Sequence, residues 1–157
     1  MSIDDCLEEQ IRLFLKFLKV KPQNNYFTCY SYAHPVLNSL PFSPLVQGLI
    51  TNIVLLVCTP NEIFVKKIGS GISSVRLKEE EYTQKIIHIP KTEIKRFEIK
   101  DYSALGLDSG YLLTIEAKKK YYYHIANVTG NDFSTRNFFE MKYQKFLGLL
   151  TADKTIE

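Results

Sequence analysis

Between residues 52 and 150 the chain runs through short β-type segments separated by turn signals, and it closes on a single helical segment. That order predicts a small antiparallel β-structure ended by a C-terminal helix. Residues 49–58 form a long apolar run, Pro60-Asn61 makes a turn, and residues 62–68 return as a second strand of a hairpin. Residues 85–89 read as a short strand stopped by Pro90. Ile94 stands three positions before Phe97, an offset that fits one tight turn leading into a strand, with both apolar ends facing inward. Residues 103–110, with Gly106 and Asp108, read as a loop. Residues 111–116 and 121–126 read as two more strands joined at a tip of Lys118, Lys119 and Lys120.

The final helix is expected over residues 135–150, with an apolar stripe of Phe139, Tyr143, Phe146, Leu147 and Leu150. Gly148 costs such a helix about 1 kcal/mol relative to Ala, which suggests close packing there. Residues 26–33, rich in Tyr, Phe, Thr and Cys, supply a first strand. The count is about seven strands.

Ahead of these strands, residues 2–19 carry Ile3, Leu7, Ile11, Phe14, Leu15 and Leu18 at the spacing of one helical face. Acids lead and bases trail along this segment, as the helix dipole favours, and Ser2 can cap the first turn. Lys21-Pro22-Gln23-Asn24-Asn25 stops it. Residues 34–48 hold Pro35, Pro41 and Pro44, which exclude a helix or a central strand. This connection is unusually apolar, through Val36, Leu37, Leu40, Phe42, Leu45 and Val46. The chain thus divides into an N-terminal helix (1–20), a β-rich domain (24–151) and a flexible tail (152–157).

A length of 157 residues suits one domain. Ten Tyr and ten Phe can fill its core without any Trp. The net charge of +3 gives no strong basic stripe of the kind that marks nucleic-acid binding. Cys6, Cys29 and Cys58 are too few and too scattered for a disulfide framework or a zinc site, so thiols in a reducing cytoplasm are expected. The start is acidic and lacks the pattern of a secretory signal. The most apolar run, residues 45–58, falls short of the roughly 20 residues a membrane span needs. His34, His88 and His124 lie on separate segments with no nucleophile motif, metal-ligand spacing or phosphate loop beside them, so catalysis, metal and cofactor are not expected.

Seven strands followed by a helix is the order of pleckstrin-homology-like domains, and three stretches resemble the bacterial PH-like and GRAM-like members. Leu55-Leu56-Val57-Cys58-Thr59-Pro60-Asn61-Glu62-Ile63-Phe64-Val65 is similar to that family's first clear hairpin. Ile89-Pro90-Lys91-Thr92-Glu93-Ile94-Lys95-Arg96-Phe97-Glu98-Ile99 resembles its lead into the middle strands. Leu112-Leu113-Thr114-Ile115, the Tyr121 strand and the final helix resemble the remainder. The pattern spans about residues 45–150 and departs at Glu62, where the family often has Arg or Lys. The resemblance implies a mainly β fold, a PH-like β-roll of about seven antiparallel strands capped by the C-terminal helix, to which the N-terminal helix is added. It also implies a bacterial, cytoplasmic, non-catalytic module.

Two functional expectations follow. The apolar loop and the first helix either cover one another or form a protein-partner or self-association surface, with Phe14, Leu37, Phe42 and Leu45 as its candidate residues. The alternative is a weak hold on anionic membrane lipid through Lys66, Lys67, Lys118, Lys119 and Lys120, at about 1 kcal/mol per lysine. The basic cup of lipid-binding PH domains finds no counterpart in residues 34–48, which contain no Lys or Arg. Nucleic acid would have to use Tyr and Lys between residues 118 and 124, where alternation leaves only one set of side chains exposed.

Overall fold

The computed structural model describes residues 3–32, 52–70, 75–104, 108–126 and 133–150. Helix α1 (Ile3–Phe17) precedes strands β1 (Tyr26–Tyr32), β2 (Asn52–Cys58), β3 (Glu62–Ser70), β4 (Ile86–Pro90), β5 (Arg96–Ala104), β6 (Asp108–Glu116) and β7 (Lys120–Ala126), and helix α2 (Phe133–Tyr143) follows them. Short 3-10 turns occupy Glu79–Glu81, Lys91–Glu93 and Lys145–Gly148. All pairings are antiparallel. The strands form one sheet in the order β4-β3-β2-β1-β7-β6-β5. The expected mainly β fold with a helix at each end of the chain is therefore present. The sheet is open, with β4 and β5 as its two edges. Among the described residues no helix is long and apolar enough to cross a membrane.

Alternation along each strand sorts the side chains into two apolar clusters. The larger takes Phe27 from β1, Leu56 from β2, Ile63 from β3, Ile89 from β4, Phe97 from β5, Leu113 from β6 and Tyr123 from β7. Both edge strands reach the same cluster, so the sheet bends around it. Phe138 and Met141 of α2 and Phe146 beyond it fill the hollow. The smaller cluster lies on the opposite, convex face. There Ile11, Phe14 and Leu15 of α1 cover Tyr26, Leu55, Val57 and Ile68, joined by Leu77, Tyr82 and Phe133. Strand β2 is thus covered on both faces, and Val54 to Cys58 are buried without a break. This explains why its sequence is continuously apolar rather than alternating.

Strand β1 pairs with β7 only from Tyr30 to Tyr32. Beside its first half, α2 takes the place of a strand. The Thr28 N–H donates to Ser134 Oγ at 2.7 Å, Ser134 Oγ donates to the Thr28 carbonyl at 3.2 Å, and Asn137 Nδ2 donates to the Tyr26 carbonyl at 2.9 Å. Ser134 and Asn137 are three residues apart, hence on one helical face. They satisfy main-chain groups that would otherwise be buried without partners.

The C-terminal segment corrects the sequence reading. Helix α2 ends at Tyr143, and its buried face is Phe133, Asn137, Phe138 and Met141. Tyr143 is 85% exposed and Phe139 41%, so neither belongs to the buried stripe. Lys145, Phe146 and Leu147 all take left-handed backbone angles, followed by Gly148 at φ +95°. This reversal drives Phe146 into the core, with ring centroids 5.0 Å from Phe97 and 6.1 Å from Phe27 and Phe138. Left-handed angles cost L-residues roughly 1–2 kcal/mol each, and the burial of Phe146 and Leu149 offsets that cost. Gly148 therefore serves a turn and not a helix interior.

The expected loop at 103–110 is also shorter than expected. The β5–β6 ladder continues through Ser103↔Ser109 and Ala104↔Asp108, so Ser103, Ala104 and Asp108 belong to strands, while Gly106 lies outside the described residues. Ile94 and Phe97 both face inward as expected, but the tight turn lies earlier than their offset implies: Lys91–Glu93 forms it, and Ile94 is already extended. The β2–β3 turn is held by Thr59, whose Oγ1 accepts the Glu62 N–H at 3.0 Å.

Candidate functional site

Of the apolar residues expected to form a partner surface, Phe14 is fully buried. Its ring meets that of Tyr82 edge-on at 5.1 Å, so the chain itself covers it, and it is unavailable to a partner. Leu37, Phe42 and Leu45 lie outside the described residues. Among the described side chains of α1, the large apolar ones that are exposed are instead Leu13 (56%) and Phe17 (50%), one helical turn apart.

The five candidate lysines separate according to strand parity. Odd positions of β3 face the hollow, as Ile63 and Val65 do, and even positions face α1. Lys66 is consequently on the covered, convex face and only 3% exposed. Its ammonium donates to the carbonyl of Glu81 at 2.7 Å and to that of Gln84. Burial lowers its pKa, and the nearby Glu81 carboxylate partly opposes that shift. Lys66 therefore pins the segment between β3 and β4, and it is not a ligand contact. Lys120 opens β7 opposite Glu116, exposed and away from the hollow.

Lys67, Lys118 and Lys119 share a cleft. Two adjoining recesses, of about 260 and 320 Å³, follow β4 along its length. The first is lined by Ser31, Asn52, Lys67, Lys85, Ile86, Ile87 and the rings of Tyr121 and Tyr123, among others. The second is lined by His88, Ile89, Pro90, Glu93, Ala117, Lys118, Lys119 and again Tyr121. Among the described residues, four lysines thus stand around the cleft against one carboxylate, Glu93, which lies 3.2 Å from Lys118 Nζ across it. Lys85 escaped the sequence reading. It enters β4 with a left-handed backbone, φ +47°, fixed by the Lys66 contacts just before it and by its carbonyl, which accepts the Lys67 N–H at 3.0 Å.

The register tells which main-chain groups of β4 face the cleft. The Lys67 N–H bonds to the Lys85 carbonyl, and the Lys91 N–H to the Asn61 carbonyl at 2.9 Å. Both pairs belong to the ladder that aligns Ile63 with Ile89 and Val65 with Ile87. Hydrogen-bonded and non-bonded pairs alternate in an antiparallel ladder. Ile87 and Ile89 therefore bond to β3, whereas Ile86, His88 and Pro90 direct their main-chain groups away from it. Among the described residues no strand pairs with that side of β4. The His88 ring lies on the convex face, stacked on Phe64 at 5.1 Å with its Nε2 2.6 Å from Glu62 Oε2.

Elsewhere, Cys29 and Cys58 are buried in the main cluster, and burial pushes the Cys58 thiol up to about 12. Cys6 is exposed. Burial also raises the Tyr123 hydroxyl, which makes it a core group and not a titrating one. Among the described residues no three His, Cys, Asp or Glu side chains are placed to hold a metal ion.

No protein-family model matches this chain, and no curated protein does. Among solved structures, the C-terminal domain of an unknown protein from Leishmania infantum aligns with 12% identity and a TM-score of 0.45, over 89% of this chain and 97% of that one.

Proposed function

We propose that this chain is a non-catalytic, PH-like binding module that takes an anionic ligand in the cleft along β4. The observation that carries this reading is the placement of Lys67, Lys85, Lys118 and Lys119, from three separate parts of the chain, along two adjoining recesses whose lining includes one acid, Glu93, among the described residues. Cations gathered at a concave surface with an apolar floor of Tyr121, Tyr123 and Ile87 attract anions more strongly than the same charges scattered over a convex one. The PH-like part of the reading draws on seven antiparallel strands bent around a following helix. The reading places the module in the cytoplasm, where Cys29 and Cys58 stay reduced.

Inositol hexakisphosphate serves as a test polyanion for titration of the labelled protein, followed by NMR. Amide shifts are expected at Lys85, Ile87, Lys118 and Tyr121, to be lost in the Lys118→Glu/Lys119→Glu double variant. Shifts scattered over all surface lysines, or none, would overturn the reading.

A second reading, self-association, is favoured by the exposure of Leu13 and Phe17 on α1. Light scattering decides it: a larger species that reverts to monomer in Leu13→Asp supports assembly, and a monomer at high concentration removes it.

A further inference from the structure

We propose that the anion recognised in this cleft is an extended acidic polypeptide, added to the sheet as an eighth strand beside β4; the inference rests on the anion-binding reading above. Every residue of β4 lines the cleft, Ile86 and Ile87 in one recess and His88, Ile89 and Pro90 in the other. The cleft therefore has the length and direction of a strand. Ile86 and His88 each present an N–H and a C=O to it, and Pro90 adds a carbonyl. A single strand laid antiparallel to β4 pairs with these groups without disturbing any bond to β3. Pro90, which has no N–H, marks where the pairing stops.

The faces determine what the added strand must carry. Residues directly opposite one another in a ladder point to the same side of the sheet. Ile87 and Ile89 point into the hollow, so partner residues opposite them do the same and arrive between the lysines. Lys67 and Lys85 stand at one end of the cleft, Lys118 and Lys119 at the other. Acidic side chains at alternate positions of the partner meet these cations, and the intervening residues face the His88–Phe64 side. The same lysines disfavour edge-to-edge pairing of two copies, because two cationic edges repel. A lipid headgroup would use the lysines but has no need of the main-chain edge.

The probe is a fluorescein-labelled, acetylated peptide alternating Glu and Thr, followed by fluorescence anisotropy on the whole chain. It is expected to bind, more weakly as salt rises, and the Gln–Thr peptide is expected to bind at least about tenfold less tightly. N-methylation of alternate peptide amides removes the donors of one register at a time. One pattern should cost about tenfold or more and the other little, because only alternate residues bond to a neighbouring strand. On the protein side, His88→Pro deletes an outward N–H and leaves the β3 ladder whole, so it should weaken binding where His88→Ala does not. The N-methylated peptides give the same answer without any change to the protein, so a poorly folded variant does not blunt the test. Peptide binding that both N-methylation patterns and His88→Pro leave intact, but that Lys118→Glu/Lys119→Glu abolishes, would overturn strand addition and keep the anionic cleft. Phosphatidylserine vesicles bound through the same lysines, with no peptide binding, would do likewise. Binding of neither probe, together with no inositol hexakisphosphate shifts in the cleft, would overturn both readings.

Discussion

The concave face of the sheet is treated in two opposite ways. Where α2 and the reversed turn behind it enter the hollow, Phe27, Phe97, Phe138 and Phe146 meet ring to ring and exclude water. Along β4 the same face stays open, floored by Tyr121, Tyr123 and Ile87 and rimmed by lysines. The difference teaches that one curved sheet can seal part of its concave face with aromatic rings and leave another part open as a recess.

The sharpest way to break this comparison is truncation on both sides. Phe146→Ala should destabilise the protein by about 3–5 kcal/mol, since it opens a cavity and abandons the reward for three left-handed residues. Tyr121→Ala, in the half-exposed cleft, should cost about 1 kcal/mol, nearer the ordinary centre for point variants. Urea unfolding measures both. Equal losses would mean that the cleft is as much part of the core as the sealed end.

Neighbouring lysines sharpen the contrast further. Lys66→Met leaves the carbonyls of Glu81 and Gln84 without their donor and should cost about 1–3 kcal/mol. Lys67→Met should stay within about 0.5 kcal/mol and instead weaken anion binding.

The sealed end also carries a pH signature. The Cys58 thiol is raised to about 12, so the native state keeps its proton where the unfolded chain has lost it. Stability should therefore fall as pH rises from the ordinary thiol range towards 12, by about 1.4 kcal/mol per pH unit for each such thiol. The Cys58→Ala variant should show a shallower decline across that window. In the same folded protein a thiol reagent should label Cys6 and spare Cys29 and Cys58 until denaturant is added. The smallest effect belongs to the cleft rim. Lys118→Glu and Lys119→Glu should each change stability by no more than about 0.5 kcal/mol, because both side chains are exposed and Lys118 forms only a surface ion pair.

What the sequence revealed follows from where local signals decide the outcome. The β2–β3 hairpin, the inward-facing pair Ile94 and Phe97 and the face of α1 are written in spacing, and the structure has all three. Alternation also placed Tyr121 and Tyr123 together, and their rings stack at 6.5 Å. Lys66 was illegible because its burial depends on which element covers the convex face, a tertiary fact with no local trace. The end of α2 was illegible for a related reason. Left-handed angles at Lys145, Phe146 and Leu147 are forced by the pull of Phe146 into the core, and nothing near Gln144 announces a stop. Asn137 sat hidden within an apolar face because its amide serves the edge of β1. The cleft itself combines residues from β3, β4 and the β6–β7 tip, so only the folded topology could assemble it.

The unbroken burial of β2 has a bearing on how the protein is made. Asn-Ile-Val-Leu-Leu-Val-Cys is uncharged, rich in strand formers and free of proline, the makeup of a segment prone to cross-chain stacking. One side receives its cover early, from a helix already synthesised. The other waits for aromatic residues roughly eighty to ninety positions further on, so a ribosome-bound chain carries a sticky ribbon until those residues are made. Truncated or stalled products should accordingly be the species that aggregate, well before the finished protein does.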